Sequence, residues 1–203
     1  MAPTETERQR QGAPAKCAAC AGPMDSPLFC DHCRSLYPAD GLNHFELFGL
    51  APTYDIDPAL LRQKYLQVSR GVHPDYHSTG DSSLSLHLSA QLNEAHRVLA
   101  DPVLRAEYLL ELVGGKSAKE DKSVPPEVLS TALLLREEIQ EARTAGDAAA
   151  LESRGAQARA VYERTLATIA ELARQMPGDE RSRARLRTAL NSIKYHQKLL
   201  TEL

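Results

Sequence analysis

Three observations predict an all-α chain: a helical hairpin and a C-terminal three-helix bundle, preceded by a small tetracysteine module. First, Ala and Leu dominate the apolar content, which is 42% of 203 residues. Aromatics are 5%, Trp is absent, and the Val, Ile and Thr runs that mark strands are missing. Second, apolar residues recur at intervals of three and four along extended segments. Third, Pro, Gly and Asp stand where those segments would begin and end.

Composition excludes several classes. The net charge is −3, and it is split unevenly. Residues 43–113 carry five bases and nine acids, and residues 114–203 carry fifteen bases and thirteen acids. Neither part has the basic excess of a nucleic-acid binder. No apolar run is long enough to span a membrane. Met1 to Lys16 lacks the apolar core of a secretory signal, and Glu5 and Glu7 among Arg8 and Arg10 argue against a mitochondrial transit peptide. Cytoplasm is the expected location.

In chain order, residues 1–15 are polar with Pro and Gly and read as a disordered tail. Residues 16–40 form the tetracysteine module. Cys17 and Cys20 form one C-x-x-C pair and Cys30 and Cys33 another, and these are all the cysteines of the chain. Two such pairs suit one tetrahedral Zn²⁺, with iron in a rubredoxin-like site as the rival. Two disulfides or reactive dithiols are the alternatives; a reducing compartment disfavours the first and the missing βαβ context the second. His32 is expected to be exposed. Tyr37 to Gly41 reads as a linker.

Asn43 caps a short helix bearing Phe45, Leu47 and Phe48, which ends at Gly49. Asp57-Pro58 starts the next helix, in which Leu61, Tyr65, Val68 and Val72 make one apolar stripe. Arg62, Lys64 and Arg70 lie off it. Gly71 reads as a loosening of that helix's end. After the break, Leu88, Leu92, Ala95 and Leu99 give the matching face of a second long helix, Ser82 to Ala100.

The break is His73-Pro74-Asp75. Pro74 cannot continue the helix and restricts His73. Asp75 is thereby held out from the turn, where a carboxylate can take a bidentate guanidinium and nearby bases can meet an acidic surface. Taken alone, the tripeptide also suits a mere helix stop with a turn Asp.

Residues 114–124 read as a charged linker. Pro125-Pro126-Glu127 opens a helix to about Ala145, Gly146-Asp147 separates it from one reaching about Met176, and Pro177-Gly178-Asp179 precedes the last. Val128, Ala132, Leu135, Ile139 and Ala142 form the core face of the first. Leu129, Leu133, Glu137 and Glu141 form a separate row at intervals of four: a docking strip, or a widened core beside ordinary surface charge. The middle helix is expected to bury Leu151, Ala158, Tyr162, Ile169 and Met176, and the last Leu186, Leu190, Ile193 and Leu200. Arg181, Arg183, Arg185 and Arg187 read as a solvated face.

His73-Pro74-Asp75 at the tip of a helix pair resembles a J-domain, the module that triggers ATP hydrolysis in 70-kDa heat-shock class chaperones. The run Ala90-Gln-Leu-Asn-Glu-Ala-His-Arg-Val-Leu-Ala-Asp-Pro102, followed by Arg105-Ala-Glu-Tyr-Leu-Leu110, is similar to the J-domain end of the HscB family, co-chaperones of iron–sulfur cluster assembly. Asn43 to Leu50 looks like that family's opening helix, and Leu134-Leu-Arg-Glu-Glu138 like the start of its C-terminal bundle. The resemblance covers about residues 43–203, and the cysteine module matches a segment of some relatives. It implies a J-domain over 41–113, in which Arg105 and Tyr108 pack back on the helix pair, and a scaffold-binding bundle over 125–203. The implied chaperone-binding residues are His73, Pro74 and Asp75, with Arg62, Lys64 and Arg70. The implied scaffold-binding row is Leu129, Leu133, Glu137 and Glu141, with Leu134 beside it.

Two departures are visible. Tyr76 stands where J-domains commonly have Lys, which weakens the electrostatic contact. Ala189 stands where the family has an aromatic in its last helix, so an anchor is missing. The implied function is a non-enzymatic adaptor between an ATPase chaperone of the HscA/DnaK type and a cluster scaffold of the IscU type, with weak self-association as a further expected contact and neither nucleic acid nor membrane as partner. The alternatives are a general J-protein for misfolded clients, a zinc-ribbon nucleic-acid binder and a dithiol oxidoreductase.

Overall fold

A computed structural model describes residues 16–76 and 82–203; the expected tail at 1–15 lies outside them. The described residues hold seven α-helices: α1 His44–Leu47, α2 Pro58–Val72, α3 Ser82–Ala100, α4 Pro102–Leu112, α5 Pro126–Ala145, α6 Ala148–Arg174 and α7 Glu180–Thr201. A 3₁₀ turn at Pro74–Tyr76 follows α2. Two isolated bridges, Lys16 with Pro23 and Phe29 with Leu36, are the β pairing among these residues. The chain forms two compact units, one ending at Asp101 and the other beginning at Pro102. Among the described residues no helix is long and apolar enough to cross a membrane.

In the first unit the caps do what their sequence suggests. Asn43 Oδ1 accepts from the Phe45 and Glu46 amides at 2.9 and 3.1 Å, and Glu46 accepts in return from the Asn43 amide at 2.8 Å, a closed capping box. Asp57 accepts from the Ala59 amide at 2.9 Å with Pro58 opening α2. Leu61, Val68 and Val72 of α2 and Leu88, Leu92, Ala95 and Leu99 of α3 are buried where the two helices pack. Each of the Leu and Val side chains contributes roughly 1.5–3 kcal/mol by leaving water. Phe45 of α1 and Phe48, which caps its end, join them. Tyr65 is half-buried: it sits edge-on to Phe48, tilts over the His96 ring at 4.3 Å and donates to Asn93 at 2.7 Å.

Two expectations here are corrected. Tyr37 is no linker residue, because its hydroxyl reaches the cysteines and Ala39 is buried. Gly71 is more than a loose point in the helix end: it is buried beneath the Phe29 ring, and a Cβ there would lie 2.2 Å from two ring carbons.

In the second unit α5, α6 and α7 pack on one another as the three expected bundle helices, and α4 joins them through contacts with α6 and α7. Ala132, Leu135, Ile139 and Ala142 are buried on α5, while Val128 is half-buried. Ala158 and Ile169 are buried on α6, which ends at Arg174 rather than Met176; Leu151 and Tyr162 are half-buried. Leu186, Leu190 and Ile193 are buried on α7, with Leu200 half-buried and Leu199 buried instead. Gly146 ends α5 at φ +68°, a conformation open to glycine at little cost.

Arg187 is not part of a solvated face. It is fully buried, with both terminal nitrogens on the Glu107 carboxylate and Nε on Asn191 Oδ1 at 3.1 Å. Burying a guanidinium costs several kcal/mol unless it is paired, and this fork pairs it. Asn191 also donates to the Asp121 and Ser123 carbonyls at 2.9 and 3.0 Å, so the charged segment before α5 is stitched to α7.

Candidate functional site

The four cysteines converge. Their sulfurs all lie within 4.8 Å of one another, with Cys17 to Cys33 at 3.5 Å and Cys20 to Cys30 at 3.8 Å. A disulfide needs about 2.05 Å, whereas sulfurs 2.3 Å from a tetrahedral Zn²⁺ stand about 3.8 Å apart. The spacing therefore fits a shared metal ion, and no disulfide is formed.

The two pairs are copies of one knuckle. In the first, the Cys17 amide donates to the Gly22 carbonyl and the Ala21 amide to the Cys17 carbonyl, both at 2.8 Å. In the second, Cys30 donates to Ser35 at 3.0 Å and Arg34 to Cys30 at 2.9 Å. Ala21 and Arg34, the residues after each second cysteine, both adopt left-handed conformations, φ +58° and +65°. Such strain in non-glycine residues persists where surrounding structure over-determines it. Cys17 and Cys30 are buried, Cys20 and Cys33 more exposed, and His32 is exposed as expected.

The electrostatics also call for a cation. The Tyr37 oxygen accepts from the Ala18 amide at 3.0 Å and lies 2.9 Å from Cys17 Sγ, where its hydroxyl can donate to the thiolate. That hydrogen bond brings the Cys17 thiol down to about 6 and raises Tyr37. Ser35 lowers Cys33 likewise. Cys20 goes the other way: the Gly22 amide pulls it down, but Cys33, desolvation, Cys17 and Cys30 outweigh it and push it up to about 12. Four thiolates this close cannot all ionise without a positive charge among them.

The tip of the hairpin is built by backbone. His73 caps α2 in an extended conformation, ψ 135°, and its Nδ1 accepts from the Asp75 amide at 3.2 Å. The Asp75 carboxylate is 3.6 Å from the same ring nitrogen, and its side chain is 84% exposed. Arg62 and Arg70 are exposed on α2 and Lys64 is half-buried. On the buried side, Ser85 of α3 donates to the Val72 carbonyl, which the proline break leaves without a helical partner.

On α5, Leu129, Leu133 and Leu134 are 41, 57 and 60% exposed, and Glu137 and Glu141 are exposed beside them. The row is therefore not a widened core. Leu129 and Leu133 line a groove with Arg136 and, from α7, Tyr195 and Lys198. Tyr195 is an exposed aromatic that the sequence reading missed. Ala189 opens instead on a different groove, with Val128, Thr131 and the basic residues Arg164, Arg181 and Arg185. Arg136 is tied to Glu202 at 2.9 Å and Glu138 to Arg154 at 3.3 Å, so these α5 charges are partnered within the bundle.

No family model matches the chain. It is 38% identical over 133 residues to a co-chaperone protein HscB homolog of Vibrio vulnificus (strain CMCP6), covering 63% of this chain and 78% of the relative. An iron-sulfur cluster co-chaperone protein HscB homolog of Arabidopsis thaliana is 36% identical over 119 residues, 57% of this chain and 47% of that one. Among solved structures, chaperone HscB from Vibrio cholerae superposes with a TM-score of 0.66 at 30% identity, over 79% of this chain and 94% of its own. The human co-chaperone protein HscB superposes at 0.73 over 90 and 93%, and at 23% identity it speaks for the fold alone. By the extent and identity of these matches, together with the helical architecture and the clustered cysteines, the chain belongs to the HscB co-chaperone family and carries an N-terminal tetracysteine module.

Proposed function

We propose that this chain is a non-enzymatic adaptor of iron–sulfur cluster assembly. Its J-domain presents Asp75 to a 70-kDa heat-shock class chaperone of the HscA/DnaK type, and its C-terminal bundle holds a cluster scaffold protein of the IscU type. The observation that carries the reading is the Asp75 carboxylate, turned into solvent by a proline-stopped helix at the tip of a hairpin in an HscB-family chain. A carboxylate placed there can accept both nitrogens of an arginine on the ATPase, with His73, Arg62, Lys64 and Arg70 completing the contact. Leu129, Leu133, Leu134, Glu137 and Glu141, joined by Tyr195, form the scaffold surface. Two contacts on one chain raise the effective concentration of scaffold at the ATPase, and hydrolysis takes place in the partner.

Cys17, Cys20, Cys30 and Cys33 would hold Zn²⁺ as a structural ion, supplying folding energy to a segment with little core of its own. The site of action in this reading is the cytoplasm.

The test is Asp75→Asn, which keeps shape and removes charge. Stimulation of the partner's ATP hydrolysis falls to the unstimulated rate, while scaffold binding and the circular dichroism spectrum stay as in the parent. Full stimulation by this variant would sink the reading.

A further inference from the structure

The module and the Asp75 turn belong to the same compact unit, and Phe29 of the module meets Gly71, four residues before Asp75. Phe29, the residue before Cys30, is 3% exposed, and its strand position is fixed by the bridge to Leu36 and by the Tyr37 amide donating to the Leu28 carbonyl at 2.8 Å. Its ring occupies the space a side chain at position 71 would need: an ideal Cβ would stand 2.2 Å from Cε1 and Cζ and 2.6 Å from Cε2. Carbon atoms in contact stand about 3.5–4.0 Å apart, so any larger residue at 71 would have to displace the ring. A glycine inside a helix costs roughly 0.5–1 kcal/mol against alanine, and here it sits one residue before Val72 and two before His73. A weak last turn is therefore clamped from two sides, by the Phe29 ring and by the Ser85 hydroxyl on the Val72 carbonyl. From the metal ligand Cys30 to Asp75 the path is short: Phe29, Gly71, Val72, His73, Pro74.

We propose that Phe29 is a positioning residue for Asp75: held by the knuckle that carries Cys30, its ring closes over Gly71 and fixes the last turn of α2, so that metal loading of the module sets how firmly Asp75 is presented to the partner ATPase. The inference rests on the J-domain reading of Asp75. A mobile turn lowers the fraction of chains competent to bind, and apparent affinity falls by that fraction while the maximal effect is kept. The signature is therefore a shift in the half-stimulating concentration, distinct from the loss of maximal stimulation in Asp75→Asn.

The experiment uses the full chain loaded with Zn²⁺, the same chain stripped by a chelator, and Phe29→Leu. Metal content, amide hydrogen exchange at Val72 and His73, and ATPase stimulation against co-chaperone concentration are measured on each. In metal-retaining Phe29→Leu, exchange at the two amides rises about tenfold, and the half-stimulating concentration rises by the reciprocal of the fraction of chains whose turn stays closed, the plateau unchanged. The stripped parent shows the same shifts, and stripping Phe29→Leu adds little. Parent-like exchange at Val72 and His73 in metal-retaining Phe29→Leu overturns the proposal. If that variant loses its metal, the stripped parent decides, and unchanged exchange there overturns the proposal equally. Should Asp75→Asn stimulate normally, the functional reading fails, and the exchange measurements still decide whether Phe29 braces the turn.

Discussion

The turn at Asp75 and the leucine row on α5 are both exposed, and they are built on opposite terms. Asp75 is one charged group aimed by backbone: a proline, an extended cap and a three-residue turn. The row repeats along an ordinary helix, and its exposure requires only that three leucines point away from the core. A contact made through one carboxylate is lost at a stroke when the charge goes. A contact made through apolar area is lost in increments proportional to the area removed. The first is therefore sensitive to whatever aims it, and the second to how many side chains share the load.

The largest expected effect after Asp75→Asn tests that sharing. Leu129→Ala with Leu133→Ala removes area worth about 1.5 kcal/mol per side chain, so scaffold affinity falls roughly a hundredfold by calorimetry, with ATPase stimulation by the free chain intact. An unchanged affinity would break the assignment of the row. Tyr195→Ala sharpens it: a loss of about tenfold is expected if the aromatic lies in the same contact, since aromatic anchors carry a large share of interface energy. A neutral Tyr195→Ala beside a damaging leucine pair would confine the contact to α5.

The smallest effect concerns the bundle itself. His196 is buried and its Nδ1 lies 3.0 Å from Thr165 Oγ1, whose own proton goes to the Val161 carbonyl; the ring nitrogen therefore carries the hydrogen. Burial, then Arg164, lowers its pKa below 6.5. The unfolded chain thus takes up the proton first as pH falls. Stability from neutral His196 is present above about pH 6.5 and is lost as pH falls through the folded value. Thermal melts from pH 7 to 5 should show a shallower decline in His196→Gln than in the parent.

What the sequence made legible and what it hid divide by distance along the chain. The helix starts at Asn43, Asp57, Asp147 and Asp179 and the stop at Gly146 are local chemistry, and each cap is made within four residues. The cysteine cluster is nearly as local, two short turns thirteen residues apart. The exposed row on α5 could be read because helical period separates it from the core face. Phe29 over Gly71, Glu107 under Arg187 and Tyr195 beside Leu133 could not be read, because each joins positions that only tertiary packing brings together. Gly71 and Arg187 did carry a signal: a glycine late in a helix, and an arginine in phase with the buried Leu186 and Leu190. Each asked for a partner that the sequence alone does not name.

The repetition within the cysteine module has a consequence for the order of events in synthesis. Each knuckle offers half a coordination sphere, and both halves precede α2 in the chain. The centre can close while the hairpin is still being translated, because nothing in α2 or α3 contributes a ligand. A centre closed in that order has Phe29 in place before Gly71 emerges, so the cysteine module can serve as the template on which α2 finishes its last turn.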